Sequence, residues 1–154
     1  MEKDFDRWNG IKKKLAHDTI SPLVFPEIGE VWVCTLGKNL GREQNGGLSD
    51  FSRPALVIKK FNNEMFWVVP LTTKQKPFDF YFNFTDPNGA PVAAILAQLR
   101  LVSINRFRRV LYVLPKQKFL KICRKLSNSI TPNRNPAVGR GFSAPSEPEG
   151  TVKA

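Results

Sequence analysis

The sequence predicts a mostly β fold, a small curled antiparallel sheet or barrel with flanking helices. Three observations favour it: several short apolar stretches rich in Val, Ile, Phe and Trp, the Gly, Pro, Asn and Asp residues between them, and one helical pattern near each end. The 154 residues favour one domain. We expect a helix and connector over 1–27, a barrel domain over 28–127, and a disordered tail over 128–154, where the composition turns to Pro, Asn, Gly and Ser.

The charge balance restricts the class of partner. The net charge is +11, which favours phosphate-rich RNA or DNA, a membrane surface or an acidic protein. No apolar run is long enough to span a bilayer and the N-terminus lacks a signal-peptide core, so we expect a cytoplasmic protein. Cys34 and Cys123 lie far apart in apolar runs and are expected to be reduced. With one His and no paired-ligand motif, we expect neither a metal nor another cofactor.

The N-terminal segment, residues 4–16, has the spacing of an amphipathic helix. Asp4 is a suitable N-cap, and the apolar positions are Phe5, Trp8, Ile11 and Leu15. The lysines at 12–14 form either a solvated face, which we favour, or a contact with nucleic acid or a protein partner.

A strand over 30–36 precedes a long polar, glycine-rich loop over 37–52. Loops of this length are usually functional or disordered, and this one contains Glu43, Gln44 and Phe51. Strands over 53–61 and 64–71 follow, joined by a tight turn at Asn62 and Asn63.

The second half of the domain predicts three more strand regions and a helix. Residues 77–84 alternate strictly, with Phe at every second position from 78 to 84, and predict a strand. A turn at 86–89 (DPNG) precedes apolar runs over 92–96 and 98–102, a break over 103–107 and a strand over 109–114. Pro115 is placed to start a helix whose apolar face includes Phe119, Ile122, Cys123 and Leu126.

Polar side chains that can handle phosphate lie at the ends of two of these strands. Arg53 opens one strand, and Thr72 and Thr73 close the next. Glu43 and Gln44 lie in the preceding loop. The chain is basic, and it places a cation, hydroxyl groups and a carboxylate at or near strand ends. This combination indicates a protein that acts on a polyanion.

These motifs resemble those of the PemK/MazF-type toxins of bacterial toxin–antitoxin systems. Five pieces occur in the family's order, namely 29–32 (GEVW), 41–46 (GREQNG), 53–57 (RPALV), 69–73 (VPLTT) and 97–102 (AQLRLV). Two departures are visible. The loop between Gln44 and Arg53 is longer than in the compact toxins, and Ala97 stands where many members have Asp. Either the chemistry rests on Arg53 and Thr72 or the activity is reduced.

The resemblance implies an SH3-like barrel of the CcdB/PemK type and a metal-independent, sequence-preferring endoribonuclease. Its substrate would be single-stranded RNA, cleaved to 2′,3′-cyclic phosphate and 5′-OH ends, with Arg53 and Thr72 as the catalytic residues. The resemblance also implies a homodimer and an antitoxin partner, with DNA binding in the company of the antitoxin.

Each candidate residue has a role that its chemistry allows. Arg53 offers a planar, permanently charged fork to phosphate oxygens, and Thr72 or Thr73 can hydrogen-bond the phosphate or the 2′-OH. Glu43 is the carboxylate candidate for proton transfer. Gln98 can orient substrate or read a base edge, and Gln44 and Arg100 are further substrate-binding candidates. Phe51 can stack on an unpaired base, as can Trp67, for which we favour core packing.

Two alternatives remain open at this stage. One is a non-catalytic, basic SH3-like barrel that binds RNA or a protein partner. The other is a gyrase-poisoning toxin on the related CcdB-type barrel, against which the Arg53 and Thr72 motifs argue. The ends of the RNA products distinguish the endoribonuclease from both of these alternatives.

Overall fold

A computed structural model describes residues 4–18, 25–47 and 49–132 of the chain. Two helices and seven strands follow one another there: α1 (Phe5–His17), β1 (Glu30–Thr35), β2 (Ser52–Lys60), β3 (Met65–Thr72), β4 (Tyr81–Thr85), β5 (Pro91–Ile95), β6 (Arg100–Ser103), β7 (Phe107–Val113) and α2 (Lys116–Ile130). Most of the connector predicted before β1 and most of the predicted C-terminal tail lie outside the described residues. No helix within the described ranges has the length and apolar character needed to span a membrane.

The seven strands form an antiparallel sheet in which β3 changes partner along its length. Its first residues pair with β6, its last two pair with β5, and β2 lies along its other side. From β2 the sheet continues through β1 to β7, while β4 pairs with β5 at the opposite end. The predicted mostly β fold is confirmed. The change of partner at the end of β3 brings Thr72 beside the β4–β5 hairpin, opposite Ala93.

The core consists of apolar side chains on both faces of the sheet. On one face, Leu56 and Val69 pack with Ile122 and Leu126 of α2. On the other, Trp32, Phe66 and Phe107 pack together. Burial of each such side chain contributes about 1.5–3 kcal/mol, so these two clusters hold the strands in register.

The helix α1 begins as predicted at an Asp4 cap, whose side chain accepts a hydrogen bond from Arg7 N. Its buried residues, Trp8 and Leu15, form a third apolar cluster with Phe51 from the long loop. The lysines on its other face are exposed.

Three predictions about elements are wrong in detail. The strand expected over 77–84 begins only at Tyr81, because a turn closes before it with a Tyr81 N–H bond to Phe78 O. Trp67 is not a core residue; it is 40% exposed, and its ring packs edge to face on Phe61. The predicted tail starts too early, because the α2 backbone hydrogen bonds continue to Thr131 N, which donates to Ser127 O.

Candidate active site

Arg53 is the second residue of β2, and two backbone carbonyls hold its guanidinium. Nε donates to Asn45 O of the long loop at 2.8 Å, and Nη1 donates to Leu71 O of β3 at 3.1 Å. Gly47 lies beside Nη2, where an added Cβ would come within 3.5 Å. Burial lowers the pKa of Arg53 from its ordinary value. Because that value is about 12.5 or higher, the side chain stays charged at neutral pH.

Thr72 and Thr73 follow each other at the end of β3. Thr72 is half-buried, and its Oγ1 accepts a hydrogen bond from Lys74 N at 3.2 Å, which leaves its hydroxyl hydrogen for another acceptor. Thr73 is exposed. Both line a cavity of roughly 340 Å³ together with Arg53. The structure therefore brings together the cation and the hydroxyls that the sequence placed at strand ends.

The same cavity has three polar residues that sequence reasoning missed as site residues. They are Asp86 and Asn88 from the β4–β5 turn and Tyr112 from β7. The turn was predicted from its DPNG sequence, but its closeness to Arg53 depends on long-range strand pairing that no local pattern reveals. Apolar side chains complete the lining, namely Pro54, Leu71, Ala90, Val92 and Leu111.

Tyr112 and Asp86 interact within this cavity. Burial, and secondarily the negative charge of Asp86, raises the pKa of Tyr112 to about 12. Tyr112 is therefore a neutral hydroxyl at physiological pH, able both to donate and to accept a hydrogen bond.

Gln98 and Gln44 hold the long loop in place. Gln98 Oε1 accepts from Gln44 N at 3.2 Å, and Gln98 Nε2 donates to Arg42 O at 3.1 Å. Gln44 Nε2 donates to Asn45 O at 3.3 Å, the oxygen that also receives Arg53 Nε. Both ends of the Gln98 amide are thus occupied by loop backbone, so its position fits a structural role better than the predicted contact with substrate.

Glu43 does not line the cavity that contains Arg53. Its exposed carboxylate accepts from Leu40 N at 3.0 Å, within its own loop. Its charge acts on Arg100, where it opposes the effect of burial, which lowers the pKa of that guanidinium. Neither Glu43 nor Arg100 lines the Arg53 cavity.

The position of Phe51 does not favour the predicted stacking on a base. The residue is 4% exposed, and its ring packs edge to face on Trp8 at 5.8 Å between ring centroids. Its backbone has φ +57°, a left-handed conformation that non-glycine residues rarely adopt. Phe51 is therefore a core residue that joins α1 to the long loop.

One protein-family model matches the chain. It describes the PemK-like, MazF-like toxin of type II toxin–antitoxin systems and covers residues 27–130, a stretch that includes every strand and α2. The chain belongs to this toxin family. The family suggested by the five sequence motifs is confirmed. Among curated protein sequences, the chain has no match.

Solved structures of the family share the fold. MazF from Deinococcus radiodurans has 22% sequence identity and a TM-score of 0.57, with 69% of this chain and 96% of that chain covered. An endoribonuclease in complex with its cognate antitoxin from a mycobacterial species has 15% identity and a TM-score of 0.54, covering 68% and 93%. A MazE–MazF structure from Deinococcus radiodurans has 18% identity and a TM-score of 0.53, covering 69% and 95%. The SH3-like barrel of this family is thus the fold of the present chain.

Proposed function

We propose that the protein is the toxin of a type II toxin–antitoxin system and that it cleaves single-stranded RNA without a metal ion. The observation that supports this most directly is that Arg53 and Thr72 line one cavity in a chain of this family. Cleavage is sequence-preferring and leaves 2′,3′-cyclic phosphate and 5′-OH ends.

In this mechanism the ribose 2′-oxygen attacks the adjacent phosphorus and the 5′-oxygen leaves. The 2′-OH gives its proton to water, the new P–O bond closes the cyclic phosphate as the bond to the 5′-oxygen breaks, and the leaving 5′-oxygen takes a proton from water. Negative charge grows on the non-bridging phosphate oxygens, where Arg53 donates hydrogen bonds from a positive group. The Thr72 hydroxyl donates a hydrogen bond to one of these oxygens. Removing one such donor typically costs about 10²–10³-fold in rate.

The restraint of Arg53 suits it to this role. Nε and Nη1 are held by carbonyls of the long loop and of β3, so the fork is oriented before substrate binds. Gly47 adjoins Nη2, so a side chain at this position would contact the guanidinium. Glu43 fits the role of general base poorly, since its carboxylate lies outside the cavity and accepts from its own loop. The proposed mechanism therefore relies on stabilising the negative charge that develops on the phosphate oxygens.

The proposed partner is an antitoxin, and the proposed assembly is a homodimer in the cytoplasm. Among the similar structures are a toxin bound to its cognate antitoxin and a MazE–MazF structure. A net charge of +11 suits an acidic antitoxin segment that competes with RNA for the same surface. DNA binding belongs to the complex with the antitoxin.

The test uses a long single-stranded RNA in excess EDTA with three proteins: wild type, Arg53→Ala, and Arg124→Ala as a matched loss of charge on the exposed side of α2. We expect discrete cuts with cyclic phosphate ends from wild type and Arg124→Ala, and none from Arg53→Ala. Intact RNA with folded wild-type protein would overturn the proposal. If the protein still binds RNA, it is the non-catalytic barrel. If it traps DNA cleavage on gyrase, it is the CcdB-type toxin.

A further inference from the structure

Three polar residues that line the Arg53 cavity are not used by the proposed cleavage chemistry. They are Asp86, Asn88 and Tyr112. These three side chains offer a carboxylate, an amide and a neutral hydroxyl. Such a combination next to a phosphate-binding cation can recognise the base attached to that phosphate.

The β4–β5 turn fixes the position of Asp86. Its Oδ1 accepts from Asn88 N at 2.9 Å and from Ala90 N at 2.8 Å, and Asp86 N donates to Ala90 O at 2.9 Å. Gly89, at φ +84°, adopts the left-handed conformation that closes the turn. Within the described part of the chain, both of the carboxylate's hydrogen bonds end on Oδ1, so Oδ2 retains its acceptor capacity for a ligand.

The remaining surface of the cavity suits a flat ring. Leu71, Val92 and Leu111 are apolar and come from three different strands. The volume, roughly 340 Å³, lies in the range typical of small-molecule sites, which are mostly apolar with a few placed polar groups.

We propose that this cavity binds a guanine base adjacent to the scissile phosphate, with Asp86 as its specificity-determining residue. The inference rests on the proposed RNA cleavage and names the preferred base at that site. A carboxylate only accepts hydrogen bonds, and guanine presents two neighbouring donors, N1–H and the N2 amino group. Guanine O6, beside them, accepts from the Tyr112 hydroxyl or the Asn88 amide.

The other three bases fit this set of groups less well. Adenine, cytosine and uracil each present one donor group beside a ring or carbonyl acceptor, so the Asp86 carboxylate would face an acceptor. In the described ranges, Oδ2 is the free acceptor, and hydrogen bonds from guanine donors to this charged oxygen are lost with the other bases. We therefore expect a preference of about 10- to 100-fold for guanine.

The first experiment measures kcat/KM on a short RNA that carries one cleavage site. The guanine next to the cut is replaced in turn by inosine, which lacks the N2 amino group, and by adenine. With wild-type protein we expect about a 10-fold loss with inosine and a larger loss with adenine. With Asp86→Asn, which keeps an Oδ1 acceptor for the turn, we expect the three substrates to become nearly equal.

The matched control is Asp79→Asn, the same loss of charge at an exposed residue outside the cavity. It should keep the wild-type preference. Absence of guanine on either side of the wild-type cuts would overturn the inference while leaving the RNA cleavage intact. An equal loss on all three substrates with Asp86→Asn would also overturn it.

A binding measurement tests the inference even if no RNA is cut. Titration with guanosine 3′,5′-bisphosphate and with adenosine 3′,5′-bisphosphate should give at least about tenfold tighter binding of the guanosine compound. Tyr112→Phe should weaken guanosine binding without improving adenosine binding. Equal affinity of the wild-type protein for the two compounds would overturn the proposal.

Discussion

The side chains of the candidate site differ in how much of their position comes from local sequence. Arg53 and Thr72 could be predicted because each stands at the end of a strand that its own neighbours define. Asp86 and Tyr112 could not, because they meet the same cavity only after β4–β5 and β7 have found their places in the sheet. Glu43 was misplaced for the converse reason. It is near Arg53 in sequence, but its loop directs it to Leu40 N.

Replacing Arg53 by Lys tests whether the fork matters beyond its charge. An ammonium cannot donate to Asn45 O and Leu71 O while also reaching a phosphate oxygen, because it lacks the planar, extended arrangement of donors. We expect kcat/KM for RNA cleavage to fall by about 100-fold with the fold unchanged by circular dichroism. Wild-type activity in Arg53→Lys would mean that charge alone suffices.

The ionisation of Tyr112 reports its environment directly. The chain has two tyrosines, so the difference between the alkaline absorbance titrations of wild type and Tyr112→Phe isolates Tyr112. We expect a midpoint near pH 12, where the ordinary pKa is about 10, and a lower midpoint in Asp86→Asn, which removes the neighbouring negative charge. A Tyr112 midpoint near 10 in the folded protein would contradict the described cavity.

The raised pKa of Tyr112 also makes the free energy of unfolding depend on pH. Between pH 10 and about 12, Tyr112 is still protonated in the folded chain and already deprotonated in the unfolded chain. The folded state then binds more protons, so the free energy of unfolding falls as pH rises through this window. Tyr112→Phe should lose less stability over that window than wild type, as measured by denaturant unfolding at each pH.

At the scale of elements, α1 and the long loop behave as one unit. Arg7 Nη2 donates to Ser49 O at 2.6 Å, and the Trp8 ring packs on Phe51. The carbonyl oxygen of Phe51 in turn accepts hydrogen bonds from Leu36 N and Gly37 N. The sequence predicted both the helix and the loop, but not their contact, because only the folded chain brings residues so distant in sequence together. α1 precedes the segment matched by the family model and braces the loop that supplies Asn45 O to Arg53.

Two glycine substitutions distinguish packing from helix propensity in this unit. Gly37 has φ +86°, and an added Cβ would lie 2.3 Å from the Trp8 ring, so Gly37→Ala should destabilise the protein by more than about 1 kcal/mol. Gly10 lies within α1 with nothing near its added Cβ, so Gly10→Ala should stabilise it by about 0.5–1 kcal/mol. Denaturant unfolding measures both, and a stabilising effect of Gly37→Ala would contradict both the positive φ and the close approach to Trp8.

The alternation over 77–84 shows why a period-two pattern can mislead. Phe78 and Phe80 have strand-like spacing, yet a turn places their rings parallel at 5.2 Å between centroids, each about half exposed. The pattern predicts a strand only where a neighbouring strand is available, and here β5 pairs with β4 from Tyr81 onward.

At the scale of the whole molecule, the charge of +11 could act through contacts near the cavity or as a diffuse field. Lys74 and Lys76 follow directly after Thr72 and Thr73, whereas Lys13 and Lys14 lie on the exposed face of α1. Direct phosphate contacts release counterions, and each contributes about 0.7 to the slope of log K against log salt for single strands. If a diffuse field acts instead, the two lysine pairs contribute equally to RNA binding.

We therefore expect unequal effects when each pair is neutralised in an Arg53→Ala background, which prevents cleavage during the measurement. Lys74→Gln with Lys76→Gln should reduce the salt slope of RNA binding by about 1.4, the value for two phosphate contacts. Lys13→Gln with Lys14→Gln should change it by less than about 0.3, since those exposed side chains belong to α1, which contributes no residue to the cavity lining. Fluorescence anisotropy at several salt concentrations gives both slopes. Equal reductions would show that the overall field, and not the strand end beside Thr73, attracts the RNA.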